Sequence, residues 1–207
     1  MEKIHLENYN KSADSETTFN GIDLVPVSEM KKWYRIMEEF GREILKVNID
    51  YGLILGTKKP ALLKPGAEKI RRAFNLQVER LDCIKETVDV QKGFIDYTYK
   101  CVITSKTGVK LGICDGNANS KEAKFRYVFK PASGIPDRKK IGILKAEGLG
   151  KWKKSEDKWV WMERKENPEV LSLKNIIQKV AQKRAFVGAV LMASGTSEFF
   201  TQDAAVN

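Results

Sequence analysis

Lys183 and Arg184 stand side by side within the strongest helix signal of the chain, where Leu173, Ile177, Val180, Val187 and Leu191 recur at helical spacing. Arg184 falls near that apolar stripe, so its guanidinium either borders a core or points into a groove at the edge of one. A guanidinium withdrawn from water requires an anionic partner, a bound phosphate in one case and an internal carboxylate in the other. Lys179 lies one turn before Lys183. A second cationic run, from Lys58 to Arg72, holds six basic residues and one acidic one and includes Lys59, Lys64 and Lys69. Its glycines and prolines form a loop leading into a helix, with Pro65 in the first turn. Free N–H groups at such a helix start, flanked by lysines, suit a phosphate. The GxxxxGK[ST] order of a nucleotide-hydrolysing loop is absent.

A third group interleaves cations with aromatics: Lys124-Phe125-Arg126-Tyr127-Val128-Phe129-Lys130, followed by Trp152, Trp159 and Trp161 among lysines. Lysine and arginine neutralise phosphates and release counterions, and an exposed aromatic face stacks an unpaired base for about 1–3 kcal/mol. That pairing suits single strands better than duplexes. Ordinary core packing is the competing use of each aromatic, and a solvated surface that of each lysine. The candidate nucleic-acid contacts are therefore Lys58, Lys59, Lys64, Lys69, Arg72, Lys124, Arg126, Tyr127, Lys179, Lys183 and Arg184.

Catalytic groups are scarce. The single histidine, His5, lies in a polar, aperiodic start, which leaves a Ser–His or Cys–His pair without a base. Asp82, Glu86, Asp96 and Asp115 could bind magnesium in a nuclease, but solvent-facing strand charges explain them as well. Cys83, Cys101 and Cys114 are odd in number, widely spaced and set in strand-like contexts, so they read as free thiols. Without a CxxC pair, a structural zinc site lacks ligands. The expectation is a protein with no catalytic residues, metal or cofactor.

The elements that must position these groups can be read from periodicity. Residues 1–20 read as a flexible, mildly acidic arm, residues 21–200 as a single domain and residues 201–207 as a tail. Met30, Trp33, Ile36, Met37, Phe40, Ile44 and Leu45 give an amphipathic helix, with Ser28 as its N-cap. Ala67, Ile70 and Phe74 stripe a basic helix that Asn75 ends. Strands follow at about 77–88, 94–104 and 109–115, separated by Gly93 and by Ser105-Lys106-Thr107-Gly108. In the middle strand Ile95, Tyr97, Tyr99, Cys101 and Ile103 form an apolar face that a helix layer should cover. A basic hairpin insertion occupies 131–167, and a long helix spans 171–193. Phe199 and Phe200 pack back on the core or dock on a neighbouring subunit. The fold class is α+β: an antiparallel three-stranded β-meander backed by helices, with a basic insertion before the last long helix.

Over 207 residues, 37 basic side chains against 27 acidic ones leave +10, a charge that favours anionic partners. It is segregated: residues 1–30 carry 2 basic and 6 acidic side chains, whereas Lys121–Lys165 carries 14 and 6. No apolar run approaches the ~20 residues of a membrane span. The opening residues lack the basic and apolar regions of a secretory signal, which points to the cytoplasm.

The order of helix, basic helix ending at Phe74, three-strand meander and helix carrying Lys183-Arg184-Ala185 resembles the annealing domain of the Rad-fifty-two-type superfamily. Phage single-strand annealing proteins of the Sak kind belong to it. The words Lys58 through Lys69, Gln182 through Ala185 and Phe199 through Asp203 are similar to segments of prophage proteins near that group. The resemblance implies ATP-independent binding of single-stranded DNA and annealing of complementary strands in phage or prophage recombination and repair, inside a bacterial host. It also implies a homo-oligomeric ring or helical filament, with a single-strand-binding protein or an exonuclease as further partners. Lys183 and Arg184 match the family's backbone-binding pair, and Lys64 and Lys69 are weaker matches. The 131–167 insertion departs from the family's pattern. An RNA- or duplex-binding regulator using the same basic surface, and a metal-dependent nuclease, are the alternatives.

Overall fold

A computed structural model describes residues 18–19, 22–53 and 59–201. In chain order its elements are β1 (Thr18–Phe19), β2 (Ile22–Asp23), α1 (Val27–Glu43), β3 (Tyr51–Gly52), β4 (Ala61–Leu62), α2 (Lys64–Ala73), β5 (Gln77–Asp89), β6 (Phe94–Thr104) and β7 (Lys110–Asn119). They continue with α3 (Ala123–Arg126), β8 (Tyr127–Pro131), α4 (Arg138–Ala146), β9 (Gly150–Ser155), β10 (Lys158–Glu166), a 3₁₀ turn (Val170–Leu173) and α5 (Lys174–Ser194), then a second 3₁₀ turn (Thr196–Glu198). The chain divides into two compact units, Met1–Leu45 and Lys46–Asn207. The first includes the β1–β2 pair and α1, so α1 is grouped apart from the elements with which the sequence reading placed it. Pro26, not Ser28, occupies the N-cap of α1, and Ser28 lies inside the helix.

In the second unit the alternation read from residues 94–104 has its expected outcome. Strands β5, β6 and β7 form an antiparallel meander in that order, and Ile95, Tyr97, Tyr99, Cys101 and Ile103 are all buried. Helix α5 packs across β6 and β7, and α2 packs on α5. The fold is α+β, a three-stranded antiparallel sheet backed by helices. Pro65 sits in the first turn of α2, and Asn75 takes a left-handed conformation (φ 58°) just past its end.

Strand β7 runs four residues beyond the expected end at Asp115, through Asn119. The reason lies across the sheet. A Cβ on Gly116 would overlap the backbone of Ala181, Arg184 and Ala185, and one on Gly112 that of Ala189 and Ala193. Both glycines are there so that the backbone of α5 can lie directly on the strand. The helix answers with small residues: Ala181, Ala185, Gly188 and Ala189 are buried, while the larger Ile176 is exposed. Gly195, at φ 66°, ends α5 in a left-handed cap.

The region read as an insertion forms a second antiparallel sheet, ordered β8-β10-β9. It begins at Tyr127 rather than at residue 131. It also includes α4, which the glycines and lysines of that segment concealed; Asp137 caps this helix by accepting a hydrogen bond from the Lys140 N–H at 2.9 Å. The β9–β10 hairpin stands where expected. Phe200 is buried against Tyr51, with ring centroids 5.6 Å apart. Thr201 donates its N–H to the Pro60 carbonyl at 2.9 Å and accepts from Leu62 at 2.8 Å. The end of the described chain therefore packs back on its own core. Among the described residues no helix is long and apolar enough to cross a membrane. Cys83, Cys101 and Cys114 are free thiols on β5, β6 and β7. Burial, reinforced by neighbouring Cys114, pushes the Cys101 thiol up to about 11, so it stays protonated and inert at neutral pH.

Candidate nucleic-acid interface

Helix α2 buries Ala67 and Ile70. The 3.6-residue period therefore turns Lys64, Glu68, Arg71 and Arg72 (i, i+4, i+7, i+8) toward another side. On α5, Ile176, Lys179, Val180 and Lys183 follow the same rule, facing away from the alanines seated on β7. The two sets converge with Gln77, Val78 and Leu81 of β5, and with Gln182 and Phe186, around an open groove of ≈ 940 Å³. Five basic residues line it against one acidic residue, Glu68.

Not all five cations are free to meet a ligand. Lys64 lies 3.4 Å from Glu68, and Arg71 donates to the Leu76 carbonyl at 2.9 Å. Arg72, Lys179 and Lys183 are exposed and form no ion pair among the described residues. Like charges gathered without a carboxylate repel one another, and an anion entering the groove relieves that repulsion. Beneath them Val78, Leu81, Val180 and Ile176 supply an apolar floor. Phe186, the one aromatic of the lining, is buried.

The remaining sequence candidates lie elsewhere. The Lys69 ammonium donates to the fully buried carboxylate of Asp50 at 2.6 Å, a structural pair that fixes α2 to the loop before β3. Lys59 donates to the Ser197 carbonyl at 3.1 Å. Lys58 lies outside the described residues. Lys124 is 3.3 Å from Glu122 and sits over the Phe125 ring. Arg126 donates to Glu166 at 2.8 Å, and Tyr127 is flanked by the guanidinium groups of Arg126 and Arg164, the latter 3.9 Å from its ring centroid.

Arg184 is the principal correction. Its two terminal nitrogens hold both carboxylate oxygens of Glu122, at 2.7 and 2.9 Å, and Nη1 also reaches the Asn117 carbonyl at 2.6 Å. The guanidinium has the anionic partner it requires, and that partner is internal. Burial pushes the Glu122 carboxyl up, but the hydrogen bonds and charge of Arg184, aided by Lys124, outweigh it and hold the group below the ordinary glutamate value. A carboxylate depressed in the folded state contributes stability above its unfolded pKa, about 4.3, and loses that contribution as pH falls through the lower folded value. Arg184 keeps 37% of its side chain in water, so Glu122→Gln should cost about 1–2 kcal/mol, less than breaking a fully buried pair. Urea midpoints should separate wild type from variant at pH 7 and draw together as the pH falls below the ordinary glutamate range; a gap that does not narrow would remove the pair from the stability argument.

The acids considered as metal ligands are also paired. Asp82 lies 3.5 Å from Arg80 and Asp115 3.4 Å from Lys100. Asp96 meets Lys85 at 2.7 Å and accepts from Asn117 at 2.6 Å. Burial pushes its carboxyl up, but Lys85 and Asn117 bring it below the usual aspartate value. Glu86 is lowered by the Tyr97 hydroxyl, which donates to it at 2.8 Å, and by Lys174 at 3.0 Å. Among the described residues, no group of three histidine, cysteine or acidic side chains is placed to hold a metal ion.

Sequence reasoning missed Arg71 and Gln182 as lining residues. The signal for Arg71 was available, since it lies seven residues after Lys64 and so on the same side of α2. No protein-family model, no curated protein and no solved structure matches this chain at a significant level.

Proposed function

We propose that this protein binds single-stranded DNA and anneals complementary strands without ATP, using the groove between α2 and α5. The observation that carries the reading is the composition of that groove: Arg72, Lys179 and Lys183 lie above an aliphatic floor and form no ion pair among the described residues, and no exposed aromatic lines it. Many proteins that bind single strands without sequence preference stack the bases on aromatic side chains. A cationic groove without such a platform grips phosphates and leaves the bases free to find a complement, as annealing demands. No residue in it need be catalytic.

Assembly into a ring or filament belongs to the same proposal. The central meander ends in two unclosed strands, β5 and β7, and β5 exposes Val78, Leu81, Ile84 and Val88. Long exposed edges with apolar side chains favour strand pairing with another copy. Light scattering should find a species several protomers in size; a monomer with and without DNA would remove this part.

The annealing itself is tested by mixing the protein with two complementary labelled oligonucleotides in the absence of nucleotide. The expected result is duplex formation faster than the spontaneous rate. A rate equal to the spontaneous one overturns the proposal. Stronger binding to duplex DNA or folded RNA than to an unpaired strand replaces it with a regulatory role.

A further inference from the structure

The β9–β10 hairpin holds an aromatic side chain that the groove does not use. Trp152 and Trp161 are directly opposed across it and meet edge to face, with ring centroids 5.3 Å apart. Trp161 is buried, and a Cβ on Gly150 would overlap its ring. These two tryptophans are structural. Trp159, two residues nearer the turn on the same face, remains 64% exposed. Among the described residues it is the one exposed aromatic among the large hydrophobic side chains left in solvent.

Its surroundings are cationic. Lys154 is its cross-strand partner and shares its face, while Lys158 and Lys153 lie at alternate positions and turn to the other face of the same hairpin. The turn is tight, with Glu156 in a left-handed conformation (φ 52°), so the tip is held by a short loop above the packed Trp152–Trp161 pair. On the opposite face of the same sheet, Lys151 sits 3.9 Å from the Phe129 ring centroid and Arg164 3.9 Å from that of Tyr127. Those cations are fixed in place by the rings beneath them. A planar apolar ring with an ammonium group beside it matches a nucleotide whose base is unpaired: the ring stacks the base while Lys154 meets its phosphate.

We infer that Trp159 and Lys154 form a second single-stranded nucleic-acid site, which takes hold of a strand through one stacked base. The site rests on the proposed single-strand binding but uses different residues and a different interaction. The groove grips backbone whatever the base, whereas the hairpin requires a base to be present.

Binding of an oligothymidylate and of an abasic oligodeoxynucleotide of equal length separates the two sites. Wild-type protein should prefer the oligothymidylate. Trp159→Ala should lower that affinity by about tenfold, the worth of one stacked base, and leave affinity for the abasic strand unchanged, while Trp159→Phe retains most of the preference. Equal loss on both strands, or none, overturns the inference. So does a Trp159→Ala variant that loses binding only to phosphatidylserine-containing vesicles, which would assign the hairpin to a membrane surface. The Lys179→Ala, Lys183→Ala double variant provides the other arm. If it loses affinity for both strands and Trp159→Ala loses none, the groove stands and the hairpin falls. If it loses none and Trp159→Ala loses base preference, the hairpin stands and the groove falls. Failure of the wild type to bind either strand overturns both.

Discussion

Alanine at both Lys179 and Lys183 is expected to weaken single-stranded DNA binding about tenfold near 0.15 M salt and to lower the slope of log K against log salt by roughly 1.4, since each phosphate contact on a single strand contributes about 0.7. Both side chains are exposed, face the groove and form no ion pair among the described residues, so removing them should leave the unfolding midpoint nearly unchanged. Arg184→Ala should behave in the opposite way. Its guanidinium is committed to Glu122 and the Asn117 carbonyl, so its loss should lower stability while the salt slope of the remaining folded protein stays that of wild type. Fluorescence anisotropy at several salt concentrations, paired with urea unfolding, checks both. A double variant with an unchanged slope would show that phosphates do not enter this groove.

That division between neighbouring residues could not be read from sequence. Lys183 and Arg184 are adjacent, but one helical step turns them about a quarter of a circle apart, and the carboxylate that claims Arg184 lies 62 residues away. Lys69 posed the same problem at shorter range, with its buried partner Asp50 standing 19 residues earlier. Charge run and helix position were legible in each case; the partner was not, because pairing is decided by tertiary contact. The alternation in β6 and the one-turn spacing of Lys179 and Lys183 were legible because each is a local period with a fixed geometric meaning. The second sheet was half legible. Its hairpin announced itself through the Ser155-Glu156-Asp157 turn, whereas β8, the strand that completes the sheet, was hidden in a run of cations and aromatics. The end of β7 misled because glycine and asparagine favour turns unless something across the sheet needs their lack of bulk.

Gly116→Val is accordingly expected to produce the largest loss of stability of any single change considered, about 3 kcal/mol or more. Overpacking a core usually costs about 1–3 kcal/mol because side chains can shift to other rotamers. Here the added carbon would meet the backbone of Ala181, Arg184 and Ala185, and a helix backbone has no rotamer to adopt. Either α5 lifts off β7, exposing the buried alanines, or β7 peels from β6 and gives up its ladder. Gly134→Ala is the control: a Cβ there meets nothing within 4 Å, so its urea midpoint should match that of wild type. The same helix carries Lys179 and Lys183 into the groove, so conditions in which Gly116→Val is part unfolded should reduce DNA binding in proportion to the folded fraction. A Gly116→Val protein with wild-type stability would mean that α5 does not lie on β7 as described, and the position of the groove would fall with it.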